Sequence, residues 1–405
     1  MDKCIFRMRC NMSLNPYCVR LSFPTGAGDH PMFTRSDARA GQMRAHELEQ
    51  QRMAHEHGQQ SPSNVVFVID PQNDFSDEYE GIREHGSLPV TGSTADYSRI
   101  INFIKSNDIH EVHVSLDTHS LRHIAHPGFW QIYNGHGFED ATNENSQFLQ
   151  LSVDEQRNII GTSIDPERAP IHLIPRNYDV TEEEYNMLYD YVHDYIKFFY
   201  KDGNSHLQPP MIWPNHCIEG TKGHQIASEL HIFLESWKRN GYDTGHSTKP
   251  RILTYHNKGR NNLVEMYSVF SADKPISPLE TLKLRKFAYE RRGKIDFQYN
   301  STGHDHYASH SNNLNTDLNV PLIQHLLRND NKVFFCGEAR THCVKASIID
   351  VMKVVQASGG MYNPANVALL KNMSSRIEHF ADDIDQIMLR NRFSVFSPEE
   401  GQRIV

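Results

Sequence analysis

The sequence predicts an α/β fold, a mostly parallel sheet with helices on both faces. Three observations predict it: short continuous apolar runs, helical apolar stripes between those runs, and reactive residue types at the ends of the runs. The first run, Asn64 to Asp70, holds Val65, Val66, Phe67, Val68 and Ile69 without a break and ends in turn chemistry, as a buried parallel strand does. Ser93 to Ser106 then places Tyr97, Ile100, Ile101 and Ile104 at helical spacing, and Glu111 to Leu116 returns to strand character. Together these make one β-α-β unit. The rhythm resumes with a helix over Ile226 to Asn240, Gly241 at its C-cap, and a strand over Arg251 to Tyr255. Pro321 to Arg328 reads as helix, Val333 to Cys336 as a buried strand, Cys343 to Gln356 as a helix opening after a Gly-containing turn, and Asn366 to Leu370 as a last strand.

Two segments interrupt this alternation, at about residues 128–207 and 273–317. The first holds a helix over Thr181 to Phe199, where Thr181 and Glu184 form a capping-box pattern and Leu188, Val192, Tyr195 and Phe199 a stripe. It is expected to be a folded insertion. The second is rich in Lys, Arg, Ser, Asn and His and reads as a long loop with some helix near Leu279 to Glu290. The α/β domain is thus expected over 63–400, behind an extension over 1–62 that is disordered or helical.

Composition narrows the function classes. The chain has 405 residues, 38% hydrophobic and 22% charged, enough for one large core, and its formal charge of -9 is not gathered into a basic stripe. A small-molecule substrate fits better than nucleic acid. No stretch approaches the roughly 18 to 20 apolar residues of a membrane helix, so no membrane partner is expected. The cysteines, Cys4, Cys10, Cys18, Cys217, Cys336 and Cys343, show no zinc-like pairing and no disulfide framework, which fits a reducing compartment and the cytoplasm. The basic residues of Met1 to Phe23 faintly resemble an organellar transit segment, with a plain leader as the other reading.

The strand ends carry the chemistry. Cys343, at a helix start, is positioned for a lowered thiol pKa, though a buried inert cysteine fits the same position. Asp70 ends the first strand, and Asp117 and His119 end the second in a D-x-H arrangement that suits a cation if a third ligand arrives. His216, in Trp213-Pro-Asn-His-Cys, is that candidate, and Lys258 would set a cation beside the thiol. Singly, Asp70 also reads as a cap, Asp117 and His119 as a satisfied loop, and Lys258 as a solvated lysine. Their coincidence at sheet ends favours a site. His123 and His126 follow the D-x-H closely, and His123 is the one expected to support the metal ligands. The tract His304, Asp305, His306 and His310 reads as solvated loop, and Cys217 and Cys336 as packing residues.

These stretches resemble a known family, the isochorismatase-like cysteine hydrolases, and within it the nicotinamidase branch. The matching runs are Asp70-Pro-Gln-Asn-Asp-Phe75 with Gly86-Ser-Leu88, Asp117-Thr-His119, Trp213-Pro-Asn-His-Cys-Ile-Glu-Gly-Thr-Lys-Gly223, Lys258-Gly259 with Tyr267-Ser-Val-Phe270, and Gly337-Glu-Ala-Arg-Thr-His-Cys-Val344. They come in family order and, with their connections, cover roughly half the chain, about one domain. The resemblance implies a three-layer α/β/α fold with a mostly parallel sheet. It implies Cys343 as nucleophile, Asp70 as proton carrier and Lys258 as the cation favouring thiolate. It further implies an oxyanion hole from the Ala339 and Cys343 N–H groups beside a cis peptide joining Glu338 to Ala339. A divalent metal, zinc first and iron or manganese as alternatives, is implied on Asp117, His119 and His216, with Phe75, Trp213, Tyr267, Ala339 and His342 around the substrate.

The implied reaction is hydrolysis of nicotinamide to nicotinate and ammonia through a thioester, as in NAD salvage. Another small amide on the same fold, or a binding protein that has lost catalysis, are the competing readings. Thr341 stands where many relatives carry an acid, and the insertion between His119 and His216 is far larger than usual. That insertion is expected to rise beside the site as a lid or an oligomer contact.

Overall fold

A computed structural model describes residues 62–78, 85–204, 207–239, 251–289, 295–296, 312–399 and 402. The extension expected over 1–62 lies, but for its last residue, outside them, as do Cys4, Cys10, Cys18, Gly241 and His304 to His310.

In chain order, β1 (Asn64–Ile69) leads through α1 (Ser93–Ser106) to β2 (Glu111–Asp117). The first insertion then supplies β3 (Trp130–Tyr133), β4 (Phe138–Asp140), the short α2 (Asn143–Ser146), β5 (Leu149–Val153), β6 (Ile159–Ser163), β7 (Ile171–Pro175), α3 (Glu182–Phe199) and β8 (Met211–Ile212). After it come α4 (Ser228–Arg239), β9 (Ile252–Lys258), α5 (Pro278–Lys283), α6 (Arg285–Ala288), and the two-residue pair β10 (Ile295–Asp296) and β11 (Asn312–Asn313). The chain closes with α7 (Val320–Leu327), β12 (Lys332–Gly337), α8 (Lys345–Ala357), β13 (Val367–Leu370), α9 (Ile384–Arg390) and β14 (Ser394–Phe396).

The main sheet runs β14-β13-β12-β1-β2-β9, with every neighbouring pair parallel. Alternation along each strand sorts its apolar residues to the two faces. Val65, Phe67 and Ile69 of β1, with Val333 and Phe335 of β12, pack with α7, α8 and α9 residues such as Ile323, Ile348 and Met388. Val66 and Val68, with Val112 and Val114 of β2, pack with Ile100 and Ile104 of α1 and Leu230 and Leu234 of α4. Burial on both faces is why these strands read as continuous apolar runs.

The three-layer expectation has no place for what the first insertion builds, a second sheet in the antiparallel order β4-β3-β7-β6-β5-β8. Its strands are short and mostly half-exposed, so they lack the apolar runs that announce the main sheet. Helix α3 covers it, opened by the expected capping box: the Glu184 N–H donates to Thr181 Oγ1 at 3.2 Å, and the Thr181 N–H to Glu184 Oε2 at 3.1 Å. Leu188, Val192, Tyr195 and Phe199 are buried as a stripe. They share one core with Trp130, Leu149 and Leu173 of the insertion sheet and with Leu263, Val264, Ile276, Leu284 and Phe287 from the chain beyond β9. The segments that interrupt the alternation therefore meet in a common core.

One boundary differs in a way that bears on chemistry. The helix expected to start at Cys343 is preceded by a widened turn over Arg340–Val344, in which the Val344 N–H reaches the Ala339 carbonyl at 3.2 Å, and α8 proper begins at Lys345. Cys343 sits inside that turn rather than at the first residue of the helix, an arrangement common at functional sites.

Candidate active site

Register builds the centre of the site. Asp117 and Lys258 are partners at the last rung of β2 and β9. Asp70 follows β1 with φ of 42°, a left-handed turn that carries the chain off the sheet. From the end of β9, Lys258 Nζ lies 3.0 Å from Asp70 Oδ2, 3.0 Å from Asp117 Oδ1 and 3.7 Å from Cys343 Sγ, and donates to the Met266 carbonyl at 3.0 Å. Asp70 and Lys258 are at most 2% exposed and Cys343 6%. Three residues distant in sequence thus share one buried cation.

Their protonation follows from that burial. Burial lifts Asp70 above the usual carboxylate value, against the pull of Lys258. Burial also pushes the Cys343 thiol up, Lys258 pulling the other way. For Lys258, burial opposes the charge, yet Asp117 and Asp70 hold the ammonium well above its ordinary value. The Ser115 hydroxyl donates to Asp70 Oδ1 at 2.7 Å and accepts from the Asp70 N–H at 3.0 Å, which fixes the carboxylate. Sequence reading passed over Ser115. Its signal was period two: it lies two residues before Asp117 on the same face of β2.

Beside this centre lies a cluster of donors fit for a cation. Asp117 Oδ2 is 3.0 Å from His119 Nε2 and 3.6 Å from His216 Nε2. Contacts to the other ring nitrogens set the tautomers: His119 Nδ1 faces the Gly259 carbonyl at 3.1 Å and His216 Nδ1 the Pro214 carbonyl at 2.7 Å. Each Nδ1 must carry a proton, so in the neutral ring each Nε2 is the atom left to bind a cation beside the carboxylate. His119 Nε2 is buried with no hydrogen-bond partner among the described residues, as a ligand atom would be. His119, His126 and His216 also bring ring nitrogens within 4.8 Å of one another, as do His119, His123 and Glu265 with their ligand atoms.

The two following histidines divide their work. His123 engages backbone through both nitrogens, the Val264 carbonyl at 3.1 Å and the Ala125 N–H at 3.2 Å, and lays its ring 4.0 Å from that of His119. His126 Nε2 is 3.2 Å from His216 Nδ1, so it is His126 that touches a candidate ligand through a ring nitrogen. Glu265 is the acid that sequence reading missed. It stands in Leu263-Val-Glu-Met266, where a carboxylate inside an apolar run was the available sign, and its N–H donates to Tyr195 of α3 at 3.1 Å.

Motif residues without a chemical role hold the loops in place. Gln72 accepts from the Asp117 N–H at 2.7 Å and donates to the Asp117 carbonyl at 2.8 Å, while Asp74 accepts from the Cys217 N–H at 2.6 Å. Gly259, at φ of 75°, passes so near that a Cβ there would sit 2.7 Å from His119 Cε1 and 2.8 Å from Asp117 Oδ1. Cys217 and Cys336 are free, buried packing residues.

The expected aromatic residues do gather. Phe75, Trp213 and Ala339 share one apolar cluster, with Tyr267 packed against it. Trp213 Nε1 donates to the Tyr267 hydroxyl at 3.1 Å, and the His342 ring stands edge-on to Trp213 and Tyr267 at 5.3 and 5.4 Å. Two further rings join them, Phe148 from the first insertion, 6.0 Å from Trp213, and Phe380 from beyond β13, 4.6 Å from His342. Neither stands in a periodic stretch that would have marked it. The peptide joining Glu338 to Ala339 is cis, and the Thr341 hydroxyl contacts His342 Nδ1 at 2.9 Å and accepts from the Ile377 N–H at 3.2 Å.

No family model matches the chain, and no curated protein does. Solved structures similar to it are nicotinamidases and pyrazinamidases. A nicotinamidase-pyrazinamidase of Acinetobacter baumannii aligns over 84% of this chain and 97% of its own at 13% identity and a TM-score of 0.40. The yeast nicotinamidase aligns over 82% and 98% at 15% identity and 0.41. A pyrazinamidase of Pyrococcus horikoshii, solved in complex with zinc, aligns over 83% and 99% at 14% identity and 0.36. With overlaps this loose, the chemistry open to the site has to be argued from its own side chains.

Proposed function

We propose that the chain is a metal-dependent cysteine amidohydrolase that converts nicotinamide to nicotinate and ammonia. The observation that carries the reading is Lys258 Nζ, buried between Asp70, Asp117 and the Cys343 thiol. A thiol, a carboxylate with a raised pKa and a fixed ammonium are the parts that covalent amide hydrolysis needs.

In the proposed reaction Cys343 Sγ attacks the carboxamide carbon as Asp70 accepts the thiol proton. Asp70 then delivers that proton to the amide nitrogen, the C–N bond breaks, ammonia leaves and a thioester remains. A water adds to the thioester with Asp70 taking its proton, and the proton returns to sulfur as the acid departs. Lys258 favours the thiolate throughout, and the Ala339 and Cys343 N–H groups are the donors assigned to the oxyanion. Asp117, His119 and His216 are assigned to a divalent cation, zinc first, with iron or manganese suited to the same donors. When bound, it supplies a Lewis-acid contact for the ring nitrogen of a pyridine amide. Phe75, Trp213, Tyr267 and His342 enclose the ring. A cytoplasmic location and a place in NAD salvage belong to the same proposal.

The test is ammonia release from nicotinamide, pyrazinamide and N-carbamoyl compounds by metal-loaded protein. Nicotinamide should turn over best, and Cys343→Ala should abolish release. Release that survives Cys343→Ala removes the nucleophile. Preference for another amide changes the substrate. Metal binding without turnover of any small amide makes the chain a binding protein.

A further inference from the structure

Strand β2 carries a carboxylate with two imidazoles at both of its ends. At its last residue, Asp117 turns Oδ2 to two Nε2 atoms and Oδ1 to Lys258. At its first residue, Glu111 turns Oε2 to His113 Nε2 at 3.3 Å and to His325 Nε2 at 3.5 Å, while Oε1 pairs with the Arg328 guanidinium. The two ends lie about 20 Å apart at the usual rise of a strand.

We propose that Glu111, His113 and His325 form a second divalent-metal site, for zinc, at the amino ends of the main sheet's strands, away from Cys343. The donor set, two imidazoles and one carboxylate, is one that zinc takes with a water in the fourth position. The spacing fits as well. Bonds of about 2.0 to 2.1 Å at a tetrahedral angle put neighbouring donor atoms roughly 3.3 to 3.4 Å apart. Hydrogen bonds from imidazole to a carboxylate run shorter, about 2.7 to 2.9 Å when charge-assisted. The observed 3.3 and 3.5 Å separations match the edges of a coordination shell, and the 3.3 Å contact also meets hydrogen-bond distance.

The surroundings are those of a built site. His113 Nδ1 is 2.9 Å from His256 Nε2, and a proton on that Nδ1 leaves the His113 Nε2 lone pair toward Glu111. The rings of His113 and His256 stack on Phe67, which fixes them. Glu111 and His113 are buried, while His325 on α7 and Arg328 have side chains 16% exposed and open a path to solvent. Arg328 also brings Nη1 to 3.5 Å from Glu111 Oε2 and donates to the His325 carbonyl, so it steadies both ligands from outside. A cation on the far oxygen does not disqualify the site, because Lys258 holds the same position toward Asp117. That parallel, though not the donor geometry, rests on the metal proposed for Asp117.

The experiment counts zinc per chain by elemental analysis after dialysis of the zinc-loaded full chain against metal-free buffer. Wild type should hold two, His325→Ala one with nicotinamide turnover intact, His119→Ala one with turnover lost, and the double variant none. A titration of folded wild type against a chromophoric chelator, which needs no variant, should show two steps. A zinc content or a chelator titration that His325→Ala leaves unchanged from wild type overturns the proposal. Failure of the amidohydrolase reading shows separately, as absent turnover or as a zinc content that His119→Ala does not lower, and leaves the His325-dependent zinc to be counted.

Discussion

Asp117 faces Lys258 across the last rung of β2 and β9, with Lys258 Nζ 3.0 Å from Asp117 Oδ1. The other carboxylate oxygen of Asp117 looks to His119 and His216, so this one pair joins the thiol centre to the histidine cluster proposed to hold a metal. Strand pairing between neighbours, not a flexible loop, sets their spacing, and substitutions on either side should be felt on both.

Asp70→Asn removes the proton acceptor but keeps the shape and the contact with Ser115. Turnover of nicotinamide should fall about 10² to 10⁴-fold, the usual worth of a general base. Zinc content should stay at the wild-type level. Steady-state ammonia release and elemental analysis on one preparation check both.

Gly259→Ala introduces a Cβ where 2.7 Å separates it from His119 and 2.8 Å from Asp117, at a φ that side chains rarely adopt. The loop must shift against the ligands. Zinc affinity at the Asp117 site should drop about 10 to 100-fold, as it does when groups supporting a metal's ligands are lost. Competition with a chelator measures it, and unchanged affinity would count against Asp117 and His119 as ligands.

Phe148→Ala takes away the ring that the first insertion lends to the Trp213 cluster. An aromatic contact is worth about 0.5 to 1.5 kcal/mol beyond its buried area, so KM should rise about two- to tenfold. The rate constant kcat should hold, because no reacting atom is touched. A fall in kcat with KM unchanged would contradict that role.

Asp77 caps α1 from upstream in the chain. Its carboxylate accepts from the Gly92 N–H at 2.6 Å, the Thr94 N–H at 3.0 Å and the Thr94 hydroxyl at 2.6 Å. Burial works against the charge, yet these bonds hold Asp77 below the usual carboxylate value. A folded pKa below the unfolded one gives stability that is present above the unfolded value, about 3.9, and lost as pH falls through the folded one. Asp77→Asn should cost about 1 kcal/mol at neutral pH. Urea melts of both proteins should differ at about pH 7 and converge toward about pH 3.

The main sheet was legible because its strands are buried on both faces and spell themselves as unbroken apolar runs. Val65 to Ile69 and Val333 to Cys336 are the plainest cases. The candidate residues were legible because polar side chains ended those runs, and Asp70 and Cys343 both lie close to Lys258. The second sheet was not legible. Strands such as Phe138–Asp140, exposed throughout, carry no apolar signal, and others bury only some of their residues, against α3. Phe148 and Phe380 stayed hidden for a related reason: only tertiary contact brings either ring to Trp213.

Tyr191 of α3 donates to the Leu263 carbonyl and the Tyr195 hydroxyl accepts from the Glu265 N–H, in the loop that also offers Met266 to Lys258. A shortened chain lacking residues 128–207 would therefore strip the cover from Leu263, Val264, Ile276 and Phe287 and leave the lysine's own loop unsupported. Trimming toward the main sheet alone has to take both insertions and redesign the chain beyond β9.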